Sequence, residues 1–155
     1  MASASLTGRS ILLIEDEPLI ALDIQQALER EGAQVQTARS LASASQFVQG
    51  DTLSAAIVDF ALSDGDAADI CAILKRRGIP FILHSGYPSC CGDAAAIIPK
   101  PARPDDLVFA LRDVLPVPKV QRHFFGSATQ LRAYLNKKFS TKRPKQEFRR
   151  RSAGH

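Results

Sequence analysis

Ile11-Leu12-Leu13-Ile14-Glu15-Asp16-Glu17-Pro18 is the stretch on which the fold turns. Four consecutive aliphatic residues near the N-terminus predict a strand buried on both faces. Proline then suits the first turn of a helix. Acids at the carboxyl end of a buried strand stand where open α/β sheets place their ligands. Three carboxylates crowded there repel one another unless a cation or a basic group joins them. The alternative is that the acids only charge the first turn of the next helix, which its dipole favours. The remainder of the chain decides between the two.

Downstream, strand and helix patterns alternate. Ile20, Ala21, Ile24, Ala27 and Leu28 recur at helical spacing over 18–31, and Gly32 suits a C-terminal cap. A short strand is predicted over 33–38. A second helix begins at Ser40, with Leu41, Ala44, Phe47 and Val48 along one face. Residues 55–59 form another buried strand that ends in Asp59. A third helix spans Asp66 to Arg77, with Ile70, Ile73 and Leu74 inward, and Cys71 reads as core. A fourth strand covers 79–84 and ends at Ser85-Gly86. A fifth covers Ala94 to Ile98 and ends at Pro99-Lys100-Pro101. A last helix runs from Asp105 to Leu115, where Pro116 stops it. This alternation predicts an α/β fold: a flavodoxin-like, doubly wound, five-stranded parallel sheet with helices on both faces. Only eight residues, Gly86 to Asp93, separate Ser85 from Ala94. Parallel strands need a dozen or more to cross over, so the fourth helix should be short or irregular.

Four of the five strands end in a chemically pointed residue: Glu15-Asp16, Asp59, Ser85 and Lys100. Strand ends of one sense lie along one edge of a parallel sheet, so these side chains can converge. Glu15, Asp16 and Asp59 make an oxygen-rich site that suits Mg²⁺, which needs few carboxylates and keeps its waters. Lys100 adds a compact positive charge and Ser85 a hydroxyl. These are the parts needed to move a phosphoryl group onto Asp59, its charge neutralised by metal, ammonium and hydroxyl. Taken singly, Asp59 is equally a helix cap, Ser85-Gly86 a turn and Lys100 a surface residue. All four falling at strand ends favours the site.

Ile14-Glu15-Asp16-Glu17-Pro18, Ile57-Val58-Asp59-Phe60, Ile82-Leu83-His84-Ser85-Gly86-Tyr87 and Ile98-Pro99-Lys100-Pro101 together make residues 9–116 resemble the receiver domain of bacterial two-component response regulators. The resemblance implies that a histidine kinase or histidine phosphotransfer protein donates its phosphoryl group to Asp59. It implies Mg²⁺ held by Asp16, Asp59 and the backbone carbonyl of Ala61, with Glu15 assisting through water. It implies that Ser85 and Lys100 contact the phosphoryl oxygens. The chain departs from the family in three places. Ser63 stands where the family usually has proline, four residues after the phosphoacceptor. Ile97 stands where it usually has a Tyr or Phe that switches with the hydroxyl. The interval from Ser85 to Lys100 is short. Pro80 to Tyr87 without the aromatic switch is similar to the subgroup named for its Phe-Ala-Thr-Gly-Tyr-like motif, often single-domain regulators. Tyr87 is either a partial substitute for the switch or a plain core or lid residue.

Hydrophobic residues make up 45% of the 155, enough for a real core. No apolar run approaches the ~20 residues of a membrane span, and the first ten residues lack the apolar centre of a signal peptide. A cytoplasmic location is expected. Three cysteines without a CxxC pair argue against a disulfide framework and against zinc. Cys90-Cys91 is either a pair of small loop residues or a redox-sensitive one.

Charge is sharply divided. Residues 1–118 carry 9 Lys and Arg against 15 Asp and Glu, a net of −6. Residues 119–155 carry 11 against Glu147 alone, a net of +10. Within this basic tail, 127–139 predicts one helix, and Thr141 to Arg151 has little to bury and predicts disorder. The tail is either simply solvated or a contact for nucleic acid, anionic membrane or the acidic domain. The expected function is a phosphorylatable switch, not a turnover enzyme, which signals to a downstream protein target or serves as a phosphate sink. A homodimer is a further partner expectation. The alternative is a DNA-binding transcriptional regulator that uses the tail. A phosphoaspartyl hydrolase would need a second acid nearby, for which Asp64 is the nearest candidate.

Overall fold

The structure is a computed structural model, and it describes residues 5–50, 52–86 and 92–116. Tyr87, Cys90, Cys91 and the whole tail over 119–155, with its expected helix, lie outside these residues.

Strand β1 (Ser10–Ile14) realises the opening aliphatic run. Ile11, Leu12, Leu13 and Ile14 are all fully buried, each burial stabilising the fold by about 2 kcal/mol. Leu12 and Ile14 pack on one side of the sheet, Ile11 and Leu13 on the other. Helix α1 (Pro18–Arg30) follows, with Pro18 in its first turn as expected. Gly32 ends it at φ +83°, and an added Cβ would come within 2.7 Å of the Thr7 hydroxyl; only glycine fits there. Next come β2 (Gln34–Ala38), α2 (Leu41–Gly50) and β3 (Ala55–Val58). The Ser40 hydroxyl accepts the Ser43 N–H at 3.2 Å, the cap predicted for α2.

The chain then does something the sequence reading did not expect. Ala61–Leu62 (β4) and Gly65–Asp66 (β5) pair antiparallel in a small hairpin. Helix α3 (Ala68–Arg76) therefore starts at Ala68 instead of Asp66. The cause is local: the Asp66 carboxylate accepts the Ala68 N–H at 3.0 Å, which makes it a terminator and not a helical residue. Strand β6 (Phe81–Ser85), β7 (Ala96–Pro99) and helix α4 (Pro104–Val114) complete the order. Strand β7 starts two residues later than expected, after a turn at Gly92-Asp93. Among the described residues no helix lies between β6 and β7.

The main sheet is parallel throughout, in the order β2-β1-β3-β6-β7. Helices α1 and α4 cover one face through Ile24, Leu28, Leu107 and Leu111. Helices α2 and α3 cover the other through Ala44, Val48, Ile70 and Leu74, and Cys71 is buried with them. This is the flavodoxin-like, doubly wound arrangement. The chain leaves β1 toward β2 on one side and returns to β3 on the other. The crevice between the ends of β1 and β3 is thus the switch point where such sheets bind ligands. Arg9 also donates to the Pro116 carbonyl at 2.8 Å and fastens the two ends of this fold together.

Candidate functional site

The ends of β1 and β3 deliver Glu15, Asp16 and Asp59 to that crevice, where one ligand oxygen of each lies within 4.8 Å of the others. Glu15 is only 1% exposed. One of its oxygens accepts the Glu17 N–H at 3.2 Å and the other the Lys100 ammonium at 3.0 Å. Asp59 accepts the same ammonium at 2.7 Å through Oδ2, and the Ala61 N–H at 3.2 Å through Oδ1. Asp16 accepts the Ser63 N–H at 2.8 Å. Glu17 instead turns to the Leu19 N–H and caps α1. It belongs to the helix.

Lys100 reaches the acids from the end of β7. Its N–H donates to the Ser85 carbonyl at 3.0 Å, which holds the two strand ends side by side. Ser85 itself is buried at the end of β6. Ala61, whose carbonyl is the expected fourth metal ligand, opens the hairpin directly beyond Phe60. Glu15, Asp16, Asp59, Ser85 and Lys100 thus stand at the same edge of the sheet.

The charges do not balance. Three carboxylates face one ammonium, a net of −2 if all are ionised. Burial pushes the Glu15 carboxyl up, and Lys100 offsets this only in part. For Lys100, burial works against the charge, but the hydrogen bonds it donates to Asp59 and Glu15 win and raise its pKa. Desolvation of Asp16 is outweighed by its hydrogen bonds from Ser63, which hold its carboxyl below the usual range. Hard oxygen donors with an excess of two negative charges fit a hard divalent cation.

Two further polar residues adjoin the site. Asp64, the candidate acid of a hydrolase, accepts the Leu41 N–H at 2.9 Å and caps α2. His84 is 3% exposed, and neither ring nitrogen meets a hydrogen-bond partner among the described residues. Its only signal in the sequence was a polar residue at an otherwise apolar strand position. It lines a 210 Å³ cleft with Ile20, Ile24, Lys100 and Pro101. Burial, with the nearby Lys100 charge, lowers its pKa from 6.5 to about 4. A lowered pKa means that the unfolded chain takes up a proton first as pH falls. The stability held by neutral His84 is complete above about pH 6.5 and is lost toward pH 4. Each pKa unit is worth about 1.4 kcal/mol. Between pH 7 and pH 5 the native chain should therefore lose about 2 kcal/mol more than His84→Leu does. Urea unfolding of both at the two pH values measures this, and parallel losses would show that the imidazole carries no such linkage.

Ile97, at the position expected to lack the aromatic switch, is 43% exposed on β7. No helix among the described residues is long and apolar enough to cross a membrane.

Residues 11–112 match the response regulator receiver domain family. Among curated relatives, the photosynthetic apparatus regulatory protein RegA of Cereibacter sphaeroides is 28% identical over 112 residues, covering 66% of this chain and 61% of that one. The transcriptional regulatory protein TcrA of Mycobacterium tuberculosis is 28% identical over 120 residues, covering 72% and 47%. The chain thus spans less than two thirds of the length of these relatives. A CheY-like response regulator receiver domain protein from Methanospirillum hungatei JF-1 superposes with a TM-score of 0.62 at 26% identity, covering 68% of this chain and 91% of that one. The response regulator protein TrrA of Thermotoga maritima, solved in complex with Mg²⁺-BeF, shares the fold at 20% identity, with a TM-score of 0.62 and coverage of 69% and 99%.

Proposed function

The chain belongs to the response regulator receiver domain family, and from that premise we propose that it is a phosphorylatable switch whose acceptor is Asp59. A histidine kinase or histidine phosphotransfer protein is the donor. The receiver portion spans 9–116 and the basic tail 119–155. The output is contact with a downstream protein, or simple drainage of phosphate, the mode of the single-domain subgroup that it resembles.

The observation that carries this reading is the shared ammonium: Lys100 bridges Asp59 and Glu15 at 2.7 and 3.0 Å, in a pocket where Asp16 adds a third carboxylate. Asp59 supplies the nucleophilic oxygen. It attacks the phosphorus of the donor, a new O–P bond forms, and the bond to the leaving group breaks with its electron pair. In this reading Lys100 follows the charge from the carboxylate to the phosphoryl oxygens, and the Ser85 hydroxyl donates beside it. Glu15, Asp16, Asp59 and the Ala61 carbonyl would hold Mg²⁺, which when bound neutralises phosphoryl charge. The Ala61 N–H keeps the Asp59 carboxylate from turning away.

The test uses acetyl phosphate with Mg²⁺ and intact-mass measurement. The full chain should gain one phosphoryl group, and chelation of the metal should abolish the gain. A chain left unmodified both there and by a cognate kinase overturns the reading.

The net charge of +10 over residues 119–155 supports a second reading, transcriptional control through DNA, and TcrA is by its description a transcriptional regulator. That reading requires DNA binding that weakens steeply with salt and disappears when 119–155 are removed.

A further inference from the structure

We propose that Ser63 is a positioning residue for the metal: its backbone N–H holds the Asp16 carboxylate in place before a cation arrives. The inference rests on the phosphoacceptor reading above and deepens it.

Glu15 and Asp59 are each tied to Lys100. Asp16 is the more exposed of the three acids, and an exposed aspartate is free to change rotamer. What it has instead is the Ser63 N–H, 2.8 Å from Oδ2. This bond joins the loop after β1 to a turn 47 residues later in the chain. It occupies one carboxylate oxygen and leaves the other for the cation.

The donor is itself well anchored. Ser63 opens the two-residue turn of the β4–β5 hairpin, between the paired residues Leu62 and Gly65. The hairpin is fastened on three sides. The Ala61 N–H reaches Asp59 at 3.2 Å, the Ala67 N–H reaches the Phe60 carbonyl at 2.9 Å, and Asp64 caps α2 at 2.9 Å. The N–H therefore points at Asp16 from a fixed frame. Proline, the residue expected at position 63 from the family resemblance, has no N–H to give. This chain thus has a donor to its metal ligand that a proline-bearing site lacks. Hydrogen bonds that orient a metal ligand typically change affinity by about 10- to 100-fold. A partly exposed one belongs at the lower end.

Calorimetric titration of Mg²⁺ into the full chain tests this with three proteins. Ser63→Pro removes the N–H and should bind about tenfold more weakly. Ser63→Ala keeps it and should stay within about threefold of the native chain, the hydroxyl being a lesser donor. Thermal unfolding with chelator present verifies that all three are folded at the titration temperature, so that affinity is read on the native state. Equal affinity in Ser63→Pro, or an equal loss in Ser63→Ala, overturns the assignment. A second readout needs no variant: in the metal-free native chain the Ser63 amide should be protected from hydrogen exchange, and free exchange also overturns it. A native chain that binds no Mg²⁺ at all overturns the phosphoacceptor reading instead, and this inference with it.

Discussion

Asp59→Asn takes up no phosphoryl group from acetyl phosphate under conditions in which the native chain is fully labelled. The carboxamide differs from the carboxylate by one atom, so the fold should persist and the loss should be chemical. An amide oxygen carries no full charge and its nitrogen is no nucleophile at neutral pH. The substitution also upsets the hydrogen bonding. Asp59 accepts twice, once from Lys100 and once from the Ala61 N–H, through different oxygens. Asn has a single accepting atom, so one donor must face an N–H₂ group. The substitution removes a charge from the metal site as well, so Mg²⁺ binding should weaken. Intact mass reads the first effect and calorimetry the second. A phosphoryl group found on Asp59→Asn would place the acceptor elsewhere.

Lys100→Met carries the largest expected cost in stability. It leaves Glu15, 1% exposed, and Asp59, with its side chain 8% exposed, without their shared cation. Breaking a buried ion pair from one side costs about 3–5 kcal/mol, because the remaining charge stays desolvated. Lys100 is itself 24% exposed, which admits some water and favours the lower figure of about 3 kcal/mol. Methionine fills the stem's volume, so the loss is electrostatic and not a cavity. The same carboxylates can be neutralised by Mg²⁺. Adding it should narrow the gap between variant and native chain, since a ligand of the folded state stabilises by mass action. Urea unfolding in chelator and in excess Mg²⁺ measures both effects. If the variant is as stable as the native chain in chelator, or Mg²⁺ leaves the gap untouched, the acids are not a coupled cation site.

The two variants probe one feature from opposite sides. In the proposed reading an oxygen of Asp59 reacts, and Lys100 is the charge that the buried Glu15 and Asp59 share. The net charge of −2 in the pocket ties them together. Burial pushes the Glu15 carboxyl up, whereas for Asp16 the desolvation is outweighed by the hydrogen bonds from Ser63, which hold its carboxyl below the usual range.

Much of this was legible along the chain. Runs such as Ile11–Ile14 and Ala55–Val58 announce buried strands because a strand covered on both faces admits no polar residue. Parallel topology then places every strand end on one edge, so Asp16, Asp59, Ser85 and Lys100 converge without any side-chain detail. The hairpin at Ala61–Asp66 was not legible. Its strands are two residues long, too short for any period, and Asp66 resembles the start of a helix until its carboxylate is seen to cap Ala68. His84 was equally silent. One histidine in an apolar run carries no sign of what its ring will meet.

The sequence by itself determined the succession of main-sheet strands and helices, the doubly wound sheet and the residues at its carboxyl edge. These follow from local periodicity and from the handedness of βαβ crossovers, which need only neighbouring residues. The tertiary structure alone decided which groups touch. Lys100 divides itself between Glu15 and Asp59, 85 and 41 residues away. Ser63 reaches Asp16 across 47. Hydrogen bonds are settled within a few tenths of an ångström, a precision that spacing along a chain cannot supply. What opened as three acids before a proline is therefore three different things: a buried partner of lysine, an aspartate held by a turn at the proposed metal site, and a helix cap.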